Sequence, residues 1–213
     1  GSSNREVDRL LTEARQSADT ALRKSLYAQF QEELTKDPAY TFIAYIDAIY
    51  DVFFRDFIQH KATFGTNKLN LRFKPLQQNR AYAFYHMTHV GEDEDNRLPD
   101  LRRCERMPWA RPTIEQAEEM GLKFWEQDRR NGRRICIWLE AENNENYFVV
   151  LSVRKTYVLL LTAFYGNYPN YAAKREKEYQ AWKKKVGRDF TPDELVKDIM
   201  SRIPDDEAND TSV

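Results

Sequence analysis

Apolar residues recur at helical spacing through the first part of the chain. Leu11, Ala14, Ala18, Leu22, Leu26, Phe30 and Leu34 fall three and four apart, which predicts one amphipathic helix over 4–36 that packs on the body or on a partner. Asp37-Pro38 breaks it and starts the next helix, Asp37 as cap and Pro38 in the first turn. That helix, about Ala39 to Gln59, carries Phe42, Ile43, Ile46, Ile49, Tyr50, Phe53 and Phe57 on one side, widened by Tyr45, Val52 and Phe54. So broad an apolar stripe predicts a largely buried helix.

After Gly65 the period changes. Leu69, Leu71 and Phe73 alternate with polar residues, as do Tyr82, Phe84 and His86 with less contrast, which predicts two short strands. A short helix over Thr113 to Met120 follows. "RICIWLEA", "NYFVVLSV" and "TYVLLLTAFY" are β-branched and aromatic runs joined by short turns, and they predict an antiparallel meander covered on both faces by helices. Two helices close the pattern, Tyr171 to Val186 and about Asp193 to Arg202. The fold class expected is α+β: a helical N-terminal part, then a small antiparallel sheet covered by helices. In domain terms, 4–36 is an extension or partner-docking helix, 37–203 a single α+β domain, and 204–213 a disordered acidic tail.

Composition narrows the function classes. No stretch approaches the roughly 18 to 20 apolar residues of a membrane span, so the expectation is a soluble, cytoplasmic protein with no membrane partner. Gly1-Ser2-Ser3 reads as a cloning remnant. Cys104 and Cys136 are too few for a disulfide framework and read as reduced, Cys136 within a strand. The net charge of -1 argues against nonspecific coating of nucleic acid, but charge is local. Lys174, Arg175, Lys177, Lys183, Lys184, Lys185 and Arg188 crowd one late helix, a surface for a polyanion or simply a solvated face.

One segment resists explanation by burial: "HMTHVGEDEDNRLPDLRRCERMPW", His86 to Trp109, with two of the three histidines, four consecutive acids and four arginines besides the cysteine. His86, His89 and Glu92 invite a metal reading, but on a strand the two histidines point to opposite faces, and no firm third ligand follows. No metal and no cofactor is expected. His86 alone suits proton transfer, or it is a hydrogen-bonded structural residue. His60, just past a helix end, reads as a partner of the helix dipole. Arg102, Arg103 and Arg106 suit phosphate, yet equally an ion-pair network with Asp100, Glu105 and the acids 92–95. Arg154 and Lys155 occupy a turn. Thr162 interrupts a run of leucines, and by strand parity it faces away from Tyr165 unless the strand bulges near Ala163.

Taken together, "IDAIYDVFFRDFI", "FYHMTHVGEDEDNRLPDLRRCERMPWARPTIE" and "YFVVLSVRKTYVLLLTAFY" resemble a family of small proteins of unassigned activity found in bacterial genomes and prophages. Its pattern runs FWH, an acidic stretch, TPDLRRCERIRWPRP, a hydrophobic strand pair, and a TAY ending before a basic helix. The likeness covers about Thr41 to Lys185. It extends more remotely to metal-independent RNases of the barnase, EndoU, colicin D and RelE group. The resemblance implies a metal-independent endoribonuclease, a toxin or phage-related effector. In that reading His86 transfers a proton and Arg154 or Lys155 is the cation. Thr162 donates to a phosphoryl oxygen, and Tyr165 stacks on a base or donates a proton. Arg102, Arg103 and Arg106 buttress the cleft or hold a neighbouring phosphate. The ending here is TAFY, which leaves the aromatic position to Phe164 or Tyr165, and His89 stands where the family has serine or threonine. Implied partners are RNA, tRNA included, and a cognate antitoxin, immunity or phage protein. Two alternatives remain: an inactive binding or regulatory module of the same fold, and a metal-dependent hydrolase built on His86, His89 and Glu92.

Overall fold

The structure is a computed structural model, and it describes residues 5–16, 19, 21, 22, 25, 26, 28–30, 32, 38–91, 97–129, 132–141, 145–166 and 168–204. The chain divides into two compact units, Gly1–Ile49 and Tyr50–Val213. The Asp37 cap, the acids 92–95 and the tail beyond Pro204 lie outside the described residues.

In the first unit, the single helix expected over 4–36 is broken. Helix α1 spans Arg5–Gln16, and Asp19 is non-helical, its carboxylate accepting the amides of Ala21 (2.8 Å) and Leu22 (3.1 Å). An aspartate that can cap a new helix start competes with continuing the old one. Leu10, Ala14 and Leu26 then share one buried cluster with Phe30 against it. A straight helix rises about 1.5 Å per residue and cannot bring Leu10 to Leu26, so the chain doubles back. Leu22, placed on the expected stripe, is instead exposed.

Helix α2, Pro38–Phe53, runs on into a π-helical turn over Phe54–Gln59. Ile46, Ile49, Phe53 and Phe57 are buried, whereas Phe42, Ile43 and Phe54 are 42%, 59% and 45% exposed, so the burial expected of the whole helix holds only along a narrower stripe that starts at Ile46.

The second unit is built on a six-stranded sheet of order β1-β2-β8-β7-β6-β5: β1 Thr63–Phe64, β2 Asn67–Leu71, β5 Lys123–Arg129, β6 Gly132–Ala141, β7 Glu145–Val153 and β8 Val158–Tyr165. The expected meander is present, with β6 antiparallel to β7 and β7 antiparallel to β8. The sheet as a whole is larger and mixed. Strand β5 adds an antiparallel edge, and β2 pairs parallel to β8 through Leu69–Leu71 and Val158–Leu160. A parallel pairing needs a long crossover, and here the whole segment between β2 and β8 provides it, a relation that local pattern does not carry.

Alternation sorts the two faces. Trp125, Cys136, Trp138 and Phe148 form one buried cluster, covered by Tyr171, Tyr179 and Trp182 of α6, Tyr171–Val186. Gly166 makes that approach possible, since a Cβ there would lie 2.5 Å from the Phe148 ring and 3.0 Å from Tyr171. The other face, with Ile135, Ile137, Tyr147, Val149 and Leu151 all buried, receives α5, Met107–Glu115, whose Trp109 meets Tyr147 edge-on at 5.8 Å. Helix α7, Pro192–Ser201, starts with the reciprocal capping box of Thr191 and Glu194. Its Asp193 accepts from Thr66 and Asn67 in the β1–β2 turn.

The expected strand over Tyr82 to His86 is an α-helix, α3, Tyr82–Thr88. Tyr82, Ala83, Phe84, Tyr85, Met87 and Thr88 are all buried, so the helix is covered nearly all round. A segment buried on every side has no polar face to set its period, and the weak alternation of Tyr82, Phe84 and His86 misleads. The short hairpin of β3, His89–Val90, and β4, Leu98–Pro99, leads into α4, Leu101–Glu105, capped by Asp100. Both cysteines are free and buried, and no helix among the described residues is long and apolar enough to cross a membrane.

Candidate functional site

Strand β2 accompanies β8 only as far as Leu160. Helices α3 and α4 pack against β8 as well, and this junction gathers most of the residues singled out by the sequence. Thr162 Oγ1 donates to the carbonyl of His86 at 2.8 Å, and Arg103 Nη1 donates to the same oxygen at 3.3 Å. The last carbonyls of a helix lack intrahelical partners. Here β8 and α4 supply them. One residue pair further, Thr88 O accepts from Asp100 N at 2.8 Å and from Cys104 Sγ at 3.7 Å. The His86 ring is half-buried against Tyr82, 4.6 Å between centroids.

The arginines of α4 lie over the end of β8. Arg106 is 4.2 Å from the Tyr165 centroid and Arg102 is 5.9 Å from it, while Arg103 stands 5.6 Å over Phe164. Both aromatics of the TAFY ending therefore carry a guanidinium. The three cations differ in what else holds them. Arg106 is anchored to Glu145 at 2.9 Å and to Glu105 at 3.4 Å. Arg103 faces Asp100 at 3.7 Å, and burial pulls its guanidinium below the ordinary value against the pull of that carboxylate. Arg102 is exposed and makes no ion pair among the described residues. Beneath them the Tyr147 phenol is pushed well above its ordinary value by burial, with Arg103 and Arg106 opposing.

The register decides the question of facing. The irregularity in the β7–β8 pairing falls between Val150 and Leu151, ahead of Thr162, and beyond it Thr162 pairs Val150 and Tyr165 pairs Tyr147. With no bulge between them, Thr162 and Tyr165 face opposite ways.

Arg154 and Lys155 are not brought to this junction. They form the β7–β8 turn, beyond Val158, and at about 3.3 Å per residue Thr162 stands about 13 Å further along the strand. Lys155 Nζ donates to the carbonyl of Ile203 at 2.7 Å, and Arg154 Nη1 lies near Gly132. The cations beside Thr162 are those of α4.

His89 takes a structural place. It is buried, with Nδ1 and Thr88 Oγ1 2.7 Å apart and its ring 4.8 Å from Tyr85. Burial, with Arg80 and Arg97 nearby, pushes its pKa down to about 4, so it is neutral at physiological pH. Glu92 lies outside the described residues, and among those described no three His, Cys, Asp or Glu side chains cluster as for a metal ion. His60 caps the π-helical turn, its carbonyl accepting from Arg111 at 3.1 Å.

Tyr168 was missed in the sequence. It is 72% exposed, two residues past Gly166, the glycine that follows β8. An aromatic inside the turn-rich run "YGNYPN" was the available signal, because turn residues are seldom large and apolar without a use. Compared with known proteins, the chain matches no described family, no curated protein and no solved structure.

Proposed function

We propose that the chain binds RNA on the arginine and aromatic surface formed by α4 and the end of β8, and cleaves it without a metal, with His86 as the proton-transfer group. One observation carries this reading: Arg102, Arg103 and Arg106 lie over Tyr165 and Phe164 at the place where β8 meets the helix that carries His86. Guanidinium groups hold phosphate, and aromatic rings receive unstacked bases, a pairing suited to single-stranded RNA. Arg102, exposed and without an ion pair among the described residues, and the exposed Tyr168 are the groups open to a ligand.

In the reaction His86 takes the proton from a ribose 2′-OH, whose oxygen forms a bond to the adjacent phosphorus while the bond to the 5′-oxygen breaks. The departing oxygen is protonated by water, leaving a 2′,3′-cyclic phosphate and a 5′-OH. Arg102 and Arg103 balance the growing phosphorane charge. The resemblance assigns that role to Arg154 or Lys155, and their distance from Thr162 moves it to α4 in this proposal. Host RNA is the substrate in a toxin or phage effector, and an antitoxin or immunity protein is the natural partner of such an activity.

A second reading, an inactive binding or regulatory module, is favoured by a specific feature. Thr162 donates its one proton to the His86 carbonyl and has none for a phosphoryl oxygen. Incubating the purified chain with total RNA and with tRNA, with and without EDTA, separates the readings. Cleavage in EDTA with cyclic phosphate ends is expected, reduced about 10²- to 10⁴-fold in His86→Ala. Arg102→Gln should weaken RNA binding and lower its salt dependence by about one counterion. Binding without cleavage selects the module, and cleavage abolished by EDTA selects the metal hydrolase.

A further inference from the structure

A second site lies away from this junction and shares no residue with it. Helix α5 is followed by a turn through Gly121, where φ is +61° and the amides of Gly121 and Leu122 return to Glu118 and Ala117. That turn, the face of α6 and the link between α6 and α7 enclose a groove of about 240 Å³, whose walls include Phe124, Tyr179, Trp182 and Phe190, with Glu118 and Asp189 at its edge. Tyr179 and Trp182 stack at 6.4 Å, and Trp182 and Phe190 approach to 5.8 Å. The Trp182 indole N–H is shielded from solvent and has no acceptor among the described residues.

Two classes of guest suit aromatic walls, a cation and a flat ring. The chain's own cations already occupy the faces a cation would use: Arg188 lies 3.9 Å over Phe190, and Lys183 lies 5.9 Å from Tyr179 while pairing Asp189 at 3.0 Å. A cationic guest would meet both. A planar heterocycle would stack on the part-exposed ring surfaces and donate its amino group to Glu118 at the groove's edge. Its phosphate would then fall toward Arg188, held loosely by Glu194 at 3.6 Å, and toward Lys184 and Lys185, which are exposed and make no ion pair among the described residues. Pockets for drug-sized ligands run about 300–1,000 Å³, so this smaller groove fits a single base.

We propose that the groove of Phe124, Tyr179, Trp182 and Phe190 is a nucleotide subsite, taking a nucleobase between the rings and its phosphate on Arg188 and the lysines that end α6. The proposal deepens the RNA reading by adding a second point of attachment, and it can hold for a free mononucleotide as well.

The test uses the full chain with adenosine 5′-monophosphate, a short single-stranded RNA, and choline as the cationic control. Adenosine 5′-monophosphate should bind saturably and shift the Trp182 indole N–H resonance. Trp182→Leu should weaken binding about 5- to 150-fold, the effect of losing about 1–3 kcal/mol of base stacking. Arg188→Gln should weaken the monophosphate more than adenosine. If only the RNA oligomer shifts the resonance, the source is a strand; if the mononucleotide suffices, a free nucleotide serves. An unmoved resonance with both nucleotide probes, unchanged affinity in folded variants, or choline binding above the nucleotide overturns the proposal. Its failure is distinct from that of the RNase reading, since loss of the groove would leave the dependence of cleavage on His86 intact.

Discussion

The meander β6–β8 and the described residues of Tyr82–Glu105 both bury apolar side chains, and the second region adds a set of tied carbonyls. In the meander, Ile135, Ile137, Phe148, Val149 and Leu151 are wholly buried, and each side chain is fixed by what it excludes from water. In the other region Phe84, Met87 and Cys104 are just as buried, and the end of α3 is tied down at its carbonyls as well: His86 O accepts from Thr162 and Arg103, and Thr88 O from Asp100 and Cys104. Apolar burial tolerates many side chains of suitable size, whereas a carbonyl at a helix end needs a donor at one place. The end of α3 therefore adds a dependence on single contacts to its dependence on burial.

The largest effect should come from the meander. Phe148 stacks on Trp138 at 5.4 Å and on Phe164 at 5.7 Å with no exposure. Phe148→Ala should cost about 3–5 kcal/mol in chemical unfolding of the full chain. A loss under about 1 kcal/mol would mean that the sheet is not the main source of stability, and the contrast would fail.

That contrast also explains what the sequence could show. The strands of the meander were legible because "RICIWLEA", "NYFVVLSV" and "TYVLLLTAFY" are long β-branched runs with short connections, which allow only antiparallel pairing. The parallel β2–β8 contact was not, because it joins residues about ninety positions apart and no local pattern encodes it. Helix α3 was misread because burial on all sides erases its period. In the candidate site His86 and Thr162 are neighbours, and the link is His86's backbone oxygen, which no side-chain motif reports. Arg154 and Lys155 drew attention as a basic turn, while the turn's distance along the strand became visible only with the register.

A second effect comes from His89. Its folded pKa of about 4 lies below the unfolded value of about 6.5. Above pH 6.5 both states are neutral and the stability is complete; between 6.5 and 4 the unfolded chain takes a proton that the folded chain refuses, so stability falls as the pH falls. The drop should approach about 3 kcal/mol at most. In His89→Asn, which keeps a polar atom toward Thr88, unfolding measured from pH 7 to 4.5 should lose most of that slope. An unchanged slope would place the titration elsewhere.

Glu126 gives a smaller term at lower pH. It joins Arg133 at 2.7 Å and Arg202 at 2.7 Å. Burial raises its carboxyl, and the hydrogen bonds from Arg202 and Arg133 outweigh that, so the net direction is downward. The stabilisation is present above the unfolded carboxyl value of about 4.3 and is lost as the pH falls through the folded one. Glu126→Gln should cost about 1–2 kcal/mol at pH 7, less than a fully buried pair because Arg133 and Arg202 can still reach water. The difference from the wild type should shrink toward pH 3.

The smallest effect tests the carbonyl anchors directly. Thr162→Val keeps the branched shape and removes the hydroxyl that reaches His86 O at 2.8 Å. Arg103 still donates to that oxygen at 3.3 Å, so the carbonyl is not orphaned, and the cost should be about 1 kcal/mol, the net worth of one hydrogen bond. Thr162→Ser retains the donor and should recover that term while losing a methyl contact. The outcome also bears on the reaction. If Thr162 acts only by holding α3 against β8, Thr162→Val should change RNA cleavage through the placement of His86, and Thr162→Ser should restore it. If instead the hydroxyl turns to a phosphoryl oxygen when RNA binds, Thr162→Val should lower cleavage by about 10-fold or more with the same loss of about 1 kcal/mol in stability and with the affinity for RNA little changed, since a bond made only in the transition state is absent from the unfolding measurement and from ground-state binding.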